Sequence, residues 1–114
     1  MLRQPRNART YTQPIELLFA EPHTDEYGHA SLGEPRVVLR VFASVEQMSA
    51  TKSMMTFQQA DVVGVDIEMR WTAAKFNGIR WQGHDIVFSQ PENVGMRNRI
   101  MRISGYYQVD NPDT

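Results

Sequence analysis

Six stretches of this chain alternate apolar and polar residues with a period of two, and that period leaves little choice of fold. Successive side chains of a strand point to opposite faces, so such alternation describes a sheet with one dry and one wet side. The longest run sets Val63, Val65, Ile67, Met69 and Trp71 against Gly64, Asp66, Glu68 and Arg70 without a break. Ile15, Leu17 and Phe19 alternate with Glu16 and Leu18 after Pro14, which marks the strand start. Val37, Leu39, Val41, Ala43 and Val45 face one way and Arg36, Arg40 and Ser44 the other, with Val38 and Phe42 interrupting the polar face. Ile79 and Trp81 precede Gln82-Gly83, while Ile86 and Phe88 follow it, the pattern of a tight hairpin that Pro91 ends. Met101, Ile103, Tyr107 and Val109 alternate with Arg102, Ser104, Tyr106 and Gln108 in the last run.

No stretch keeps a sustained helical period. A chain of 114 residues supports one modest core, burying roughly 65% of the surface its unfolded form exposes. The expected fold is all-β: a small single-domain β-barrel or sandwich of about six strands over residues 13–109, in which closing the sheet protects its edges. Two long loops are expected within it. Residues 21–34 are rich in acids, histidines and turn-formers and offer no apolar face. Residues 46–60 are rich in Met and Gln, without Gly or Pro, and suit a short helix. Residues 1–12, carrying Arg3, Arg6 and Arg9, read as a flexible basic N-terminal arm, and residues 110–114 as a polar C-terminal tail.

The formal net charge of -1 lacks the basic excess of a general nucleic-acid binder, so any DNA contact must be local. The absence of cysteine removes disulfides and thiolate chemistry together and fits a reducing cytosol. No apolar run approaches the roughly 20 residues of a membrane span. The first residues lack the apolar centre of a signal peptide, so a cytoplasmic protein with no membrane contact is expected.

Candidate chemistry is sparse. His23 and His29 flank Asp25 and Glu26, yet ligands six residues apart in one loop are unspecific for a metal, and a solvated polar loop is the simpler reading. Asp66, Glu68 and Arg70 share one strand face, which reads as the wet side of a sheet or a subunit interface before it reads as an acid–base pair. No Gly-rich phosphate loop, HExxH or GxSxG sequence occurs. The expectation is a protein that is no enzyme and has no cofactor. A reading of another class is a small nucleic-acid-binding β-barrel, with Trp71, Trp81, Tyr106 and Tyr107 among Arg80, Arg97, Arg99 and Arg102 as its platform. Trp71 and Trp81 continue apolar strand faces, which favours the core for both.

The order of these features resembles the head-tail joining, or head-closure (stopper), proteins of long-tailed bacteriophages. The likeness lies in a first strand, a loop with Asp25-Glu26-Tyr27-Gly28, a strand running into Phe42-Ala43-Ser44-Val45, and a polar insertion. It continues in Val65-Asp66-Ile67-Glu68-Met69-Arg70-Trp71 and in the closing segment GIRWQGHDIVFSQPENVGMRNRIMRISG. It spans about residues 13 to 109 and rests on order and spacing, each piece being short. Phe42 stands where a tryptophan is common, and the bend SQPENVGMRNR is longer and more polar than is usual.

The resemblance implies a structural virion protein of the neck, at the head-tail interface, assembled in the bacterial cytoplasm. It implies a homo-oligomeric ring of six or twelve copies that joins the portal or adaptor protein to a tail terminator or tail tube protein and retains packaged DNA. A tail terminator or tail-completion protein is the neighbouring alternative. Function would then lie in interfaces, for which the arm and loops are the material. The residues expected to meet partners are Arg3, Arg6 and Arg9 in the arm; Asp25, Glu26, Tyr27 and Glu34 in the first loop; and Met48, Lys52, Met54 and Met55 in the second. The second loop is expected to project from the barrel toward the ring lumen or an adjacent ring, with Lys52 facing DNA.

Overall fold

A computed structural model of the chain describes residues 11–59 and 61–109. Nine strands and one α-helix follow in the order β1 (Gln13–Phe19), β2 (Pro22–Thr24), β3 (Ala30–Leu32), β4 (Arg36–Gln47), α1 (Ala50–Phe57), β5 (Val62–Arg70), β6 (Gly78–Trp81), β7 (His84–Phe88), β8 (Glu92–Asn93) and β9 (Ile100–Gln108). The antiparallel order β5-β4-β1-β6-β7-β9 closes on itself because β5 also pairs with β9. The result is a closed six-strand barrel with β8 added outside β9. Of the two architectures the sequence allows, the barrel is the one adopted.

Inward residues of the alternating runs fill the interior: Ile15 and Leu17, Ala43, Val65, Ile67 and Met69, Ile79 and Trp81, Ile86, Met101, Ile103 and Tyr107. Trp71 packs against this core half-buried. The β6–β7 turn places Gln82 and Gly83 at φ 49° and 78°, the double left-handed conformation of a two-residue hairpin.

Two details break the alternation. Leu17 pairs with Leu39 and Leu18 with Val37, so Val38 is an extra residue, a bulge that shifts the inward face of β4 by one residue at its N-terminal end while Val41, Ala43 and Val45 keep theirs. Val38, read as interrupting a polar face, therefore packs on the core, while Val37 and Leu39 are exposed. Val109, read as the end of an inward row, lies beyond β9 and is also exposed.

β4 serves two neighbours in turn. Arg36 to Ala43 pair with β1, and Ser44 to Gln47 pair with Val65 to Glu68 of β5. Before Ser44 and after Glu68 the two strands diverge, which leaves a fork in the barrel wall.

The two long insertions take different forms. Residues 21–34 are not a structureless loop: β2 and β3 pair with each other as a separate ribbon, with every residue of both strands exposed. In residues 46–60, Glu46 and Gln47 still belong to β4, and α1 follows. Ser49 caps α1 by accepting the Lys52 N–H, and Gln58 ends it in the left-handed conformation.

Candidate functional site

The outer face of β4, β5 and β9 carries the main polar cluster. Asp66 and Glu68 lie on β5 opposite Ser104 and Arg102 of β9. With Ser44, Ser89, Gln90 and Glu92 they line a cleft of about 270 Å³. Glu68 points outward by the alternation, yet only 7% of it is exposed. Its burial has two causes. Arg102 lies over it and donates from Nε to Oε1 at 3.0 Å, while Tyr11 donates its hydroxyl to Oε2 at 2.9 Å. Ser104 Oγ donates to Asp66 Oδ1 at 2.8 Å.

Tyr11 seats the polypeptide at the fork between β4 and β5. Its ring is buried, although the sequence places it in the arm with the polar residues around it. Burial, followed by the hydrogen bond and the charge of Glu68, pushes its phenol up to about 12. Tyr11, Val41, Phe42 and Arg70 surround a depression of about 400 Å³ at the fork. Phe42 is 63% exposed there, on the outside of the barrel.

The first insertion projects as a ribbon whose turn Asp25 organises. Asp25 Oδ1 accepts the backbone N–H of Tyr27 at 2.9 Å and of His29 at 2.8 Å, and Oδ2 lies 3.3 Å from His29 Nδ1. Asp25 is thus engaged within its own turn, whereas the sequence reading offers its charge to a partner. Glu26 and Glu34 are exposed, and Tyr27 at the tip is 78% exposed. His23 bonds across the ribbon to Ser31 and His29 to Asp25.

The second insertion does not project; α1 lies on the barrel wall over Gly64. A β-carbon on Gly64 would stand 2.5 Å from Met48 Sδ and 2.8 Å from Phe57 Cε2, so any side chain there would have to push the Met48 and Phe57 side chains aside. Ser53, wholly buried, accepts the Gly64 N–H at 2.8 Å, and Phe57 packs on Tyr106 with ring centroids 4.8 Å apart. Met48, half-buried, sets its sulfur over Gly64 and also lines a depression beside α1. Lys52, Met54 and Met55 lie on the exposed side, Met55 at 73%.

The expected interface residues accordingly fall in three places. Glu26, Tyr27 and Glu34 gather on the ribbon; Lys52, Met54 and Met55 gather on α1; Arg3, Arg6 and Arg9 lie outside the described residues. Sequence reasoning missed the fork and its Tyr11–Glu68–Arg102 cluster. The one available signal was an aromatic residue inside an otherwise polar segment. Of the four aromatics in the alternative reading, Trp81 and Tyr107 are buried, with the Trp81 indole donating to Gln13 Oε1, while Trp71 and Tyr106 are half-buried.

No family model and no curated protein matches this chain.

Proposed function

We propose that this protein is a structural ring component of a tailed-bacteriophage neck, joining the portal or adaptor complex to the tail and retaining packaged DNA. The observation that carries this reading is the 21–34 ribbon, which stands off a closed barrel with both strands exposed. A free-standing ribbon has no role in the core it leaves, and exposed acids with a tyrosine at its tip suit contact with another chain. On this reading the barrel is a rigid holder, the polar cleft fixes the outer wall, and no residue acts as a catalyst or binds a cofactor. A tail terminator or tail-completion role would use the same surfaces at a neighbouring level of the virion. The nucleic-acid-binding barrel is the weaker reading because two of its four stacking residues, Trp81 and Tyr107, are buried in the core.

The test is electron microscopy of particles assembled without this protein. Full heads lacking tails, or heads that have lost DNA, are expected; normal tailed and filled particles would overturn the reading.

A further inference from the structure

The ribbon and the fork lie at opposite ends of one β1–β4 pair. Phe19 opposite Arg36 marks the ribbon end, and Pro14 opposite Phe42 marks the fork end. Five residue steps separate them along β1, roughly 17 Å at strand spacing. The ribbon thus leaves the barrel at the end opposite the fork of its own chain. The long shape of the molecule, 50 × 37 × 22 Å, agrees with a ribbon that extends away from the barrel.

The two ends are chemically complementary. Residues 21–34 carry Glu21, Asp25, Glu26 and Glu34 and no lysine or arginine. The fork is an apolar depression formed by Val41, Phe42 and the Tyr11 ring, with the exposed guanidinium of Arg70 at its rim. Its carboxylate neighbour, Glu68, is already bound by Tyr11 and Arg102. Neighbouring Glu16 is likewise paired, with Arg40 at 3.2 Å. Arg70 is thus the charge at this rim left to meet an incoming acid among the described residues.

We infer that the fork receives the ribbon tip of a second copy of this chain, with Tyr27 packing on the exposed Phe42 ring beside Tyr11 and Glu26 meeting Arg70. Tyrosine suits the place because its ring can lie on the exposed Phe42 ring while its hydroxyl stays at the wet rim beside Arg70. Two different surfaces join, so the contact is head-to-tail; repeated, it closes a ring when the rotation per copy divides a full turn. The inference rests on the reading of the chain as a ring subunit and supplies the contact that builds the ring.

The absence of cysteine makes the test direct. Tyr27→Cys and Phe42→Cys variants, mixed under mild oxidation, should form a mixed dimer, and the double variant should form a ladder of covalent oligomers. Arg70→Glu should slow the mixed cross-link about tenfold, and adding Glu26→Arg on the other partner should restore it. A cross-link no faster than one from a cysteine at Gln82, on a distant turn, overturns the contact. So does a bond within one chain between Arg6→Cys and Phe42→Cys that replaces the intermolecular one, since it gives the fork to the N-terminal segment of the same chain. If the cysteine pair fails while the unmodified protein still shows rings by negative-stain microscopy, this contact falls and the ring reading stands. If neither appears, both fall.

Discussion

The two insertions look alike as sequence, long and without core periodicity, and the fold treats them oppositely. Residues 21–34 form a ribbon held by its own ladder and by the Gly33 N–H on the Glu21 carbonyl at its base. Residues 46–60 form a helix clamped to the wall through Ser53, Phe57 and Met48. The difference comes from the barrel as much as from the insertions. Gly64 leaves a gap in the outer face of β5 that apolar side chains can fill, and the ribbon, with its acids and exposed strands, has no such seat. An insertion with apolar residues and a glycine opposite becomes wall; one without them remains free to meet another molecule.

The largest effect is expected where the clamp is tightest. Gly64→Val would drive a branched side chain into Met48, Phe57 and Ser53, and should destabilise the fold by about 3 kcal/mol in urea denaturation. Loss of helical signal at denaturant concentrations that leave the barrel folded would show that α1 is a separate unit laid on the wall. A cost near zero would mean that the helix shifts freely, and the contrast with the ribbon would vanish.

The fork offers an intermediate effect with a distinct pH signature. Its Tyr11 phenol is raised to about 12 from an ordinary value of 10, by burial first and then by the hydrogen bond and charge of Glu68. A group whose folded value lies above its unfolded value favours the protonated native state. Its contribution is complete below pH 10 and is lost as pH rises from 10 through 12. The native protein should therefore lose stability across that window. Tyr11→Phe should be less stable at neutral pH by about 2 kcal/mol, for a hydrogen bond to a charged acceptor, and should lose less across the alkaline window. Absorbance at 295 nm follows the phenolate: a step near pH 12 that survives in Tyr11→Phe would assign it elsewhere.

Much of the barrel was legible because its interior obeys the period of two that Val65, Ile67 and Met69 display. The departures share a cause, contacts that local pattern does not encode. Val38 turns inward because a bulge resets the register against β1, and nothing near Val38 announces it. Glu68 keeps its place in the alternation but is buried by Tyr11, 57 residues earlier, and by Arg102, 34 residues later. Gly64 did carry a signal, since a glycine inside an otherwise unbroken strand marks a close approach; what approaches, α1, is fixed only by the fold. At the candidate interface, exposure of Glu26, Tyr27, Glu34, Lys52, Met54 and Met55 agrees with their polar or unperiodic context. The half-burial of Met48 against Gly64 does not follow from that context, because a flexible thioether serves packing and exposed contact equally well.

The smallest global effect is expected at the ribbon, and it makes the sharpest contrast with Gly64. Asp25→Ala removes the acceptor of the Tyr27 and His29 backbone N–H groups, both in an exposed turn where water takes the carboxylate's place. The denaturation midpoint should move by less than the equivalent of about 0.5 kcal/mol, the usual range for a surface change remote from the core. Amide exchange at Tyr27 and His29 should nonetheless accelerate several-fold, because the turn opens without the barrel. A tip that no longer holds its shape presents Tyr27 in many directions, so the mixed cross-link to Phe42→Cys should slow while the fold stays intact. If Asp25→Ala instead shifts the midpoint as far as Tyr11→Phe does, the ribbon is coupled to the core, and its freedom to reach a neighbouring copy is lost as a premise.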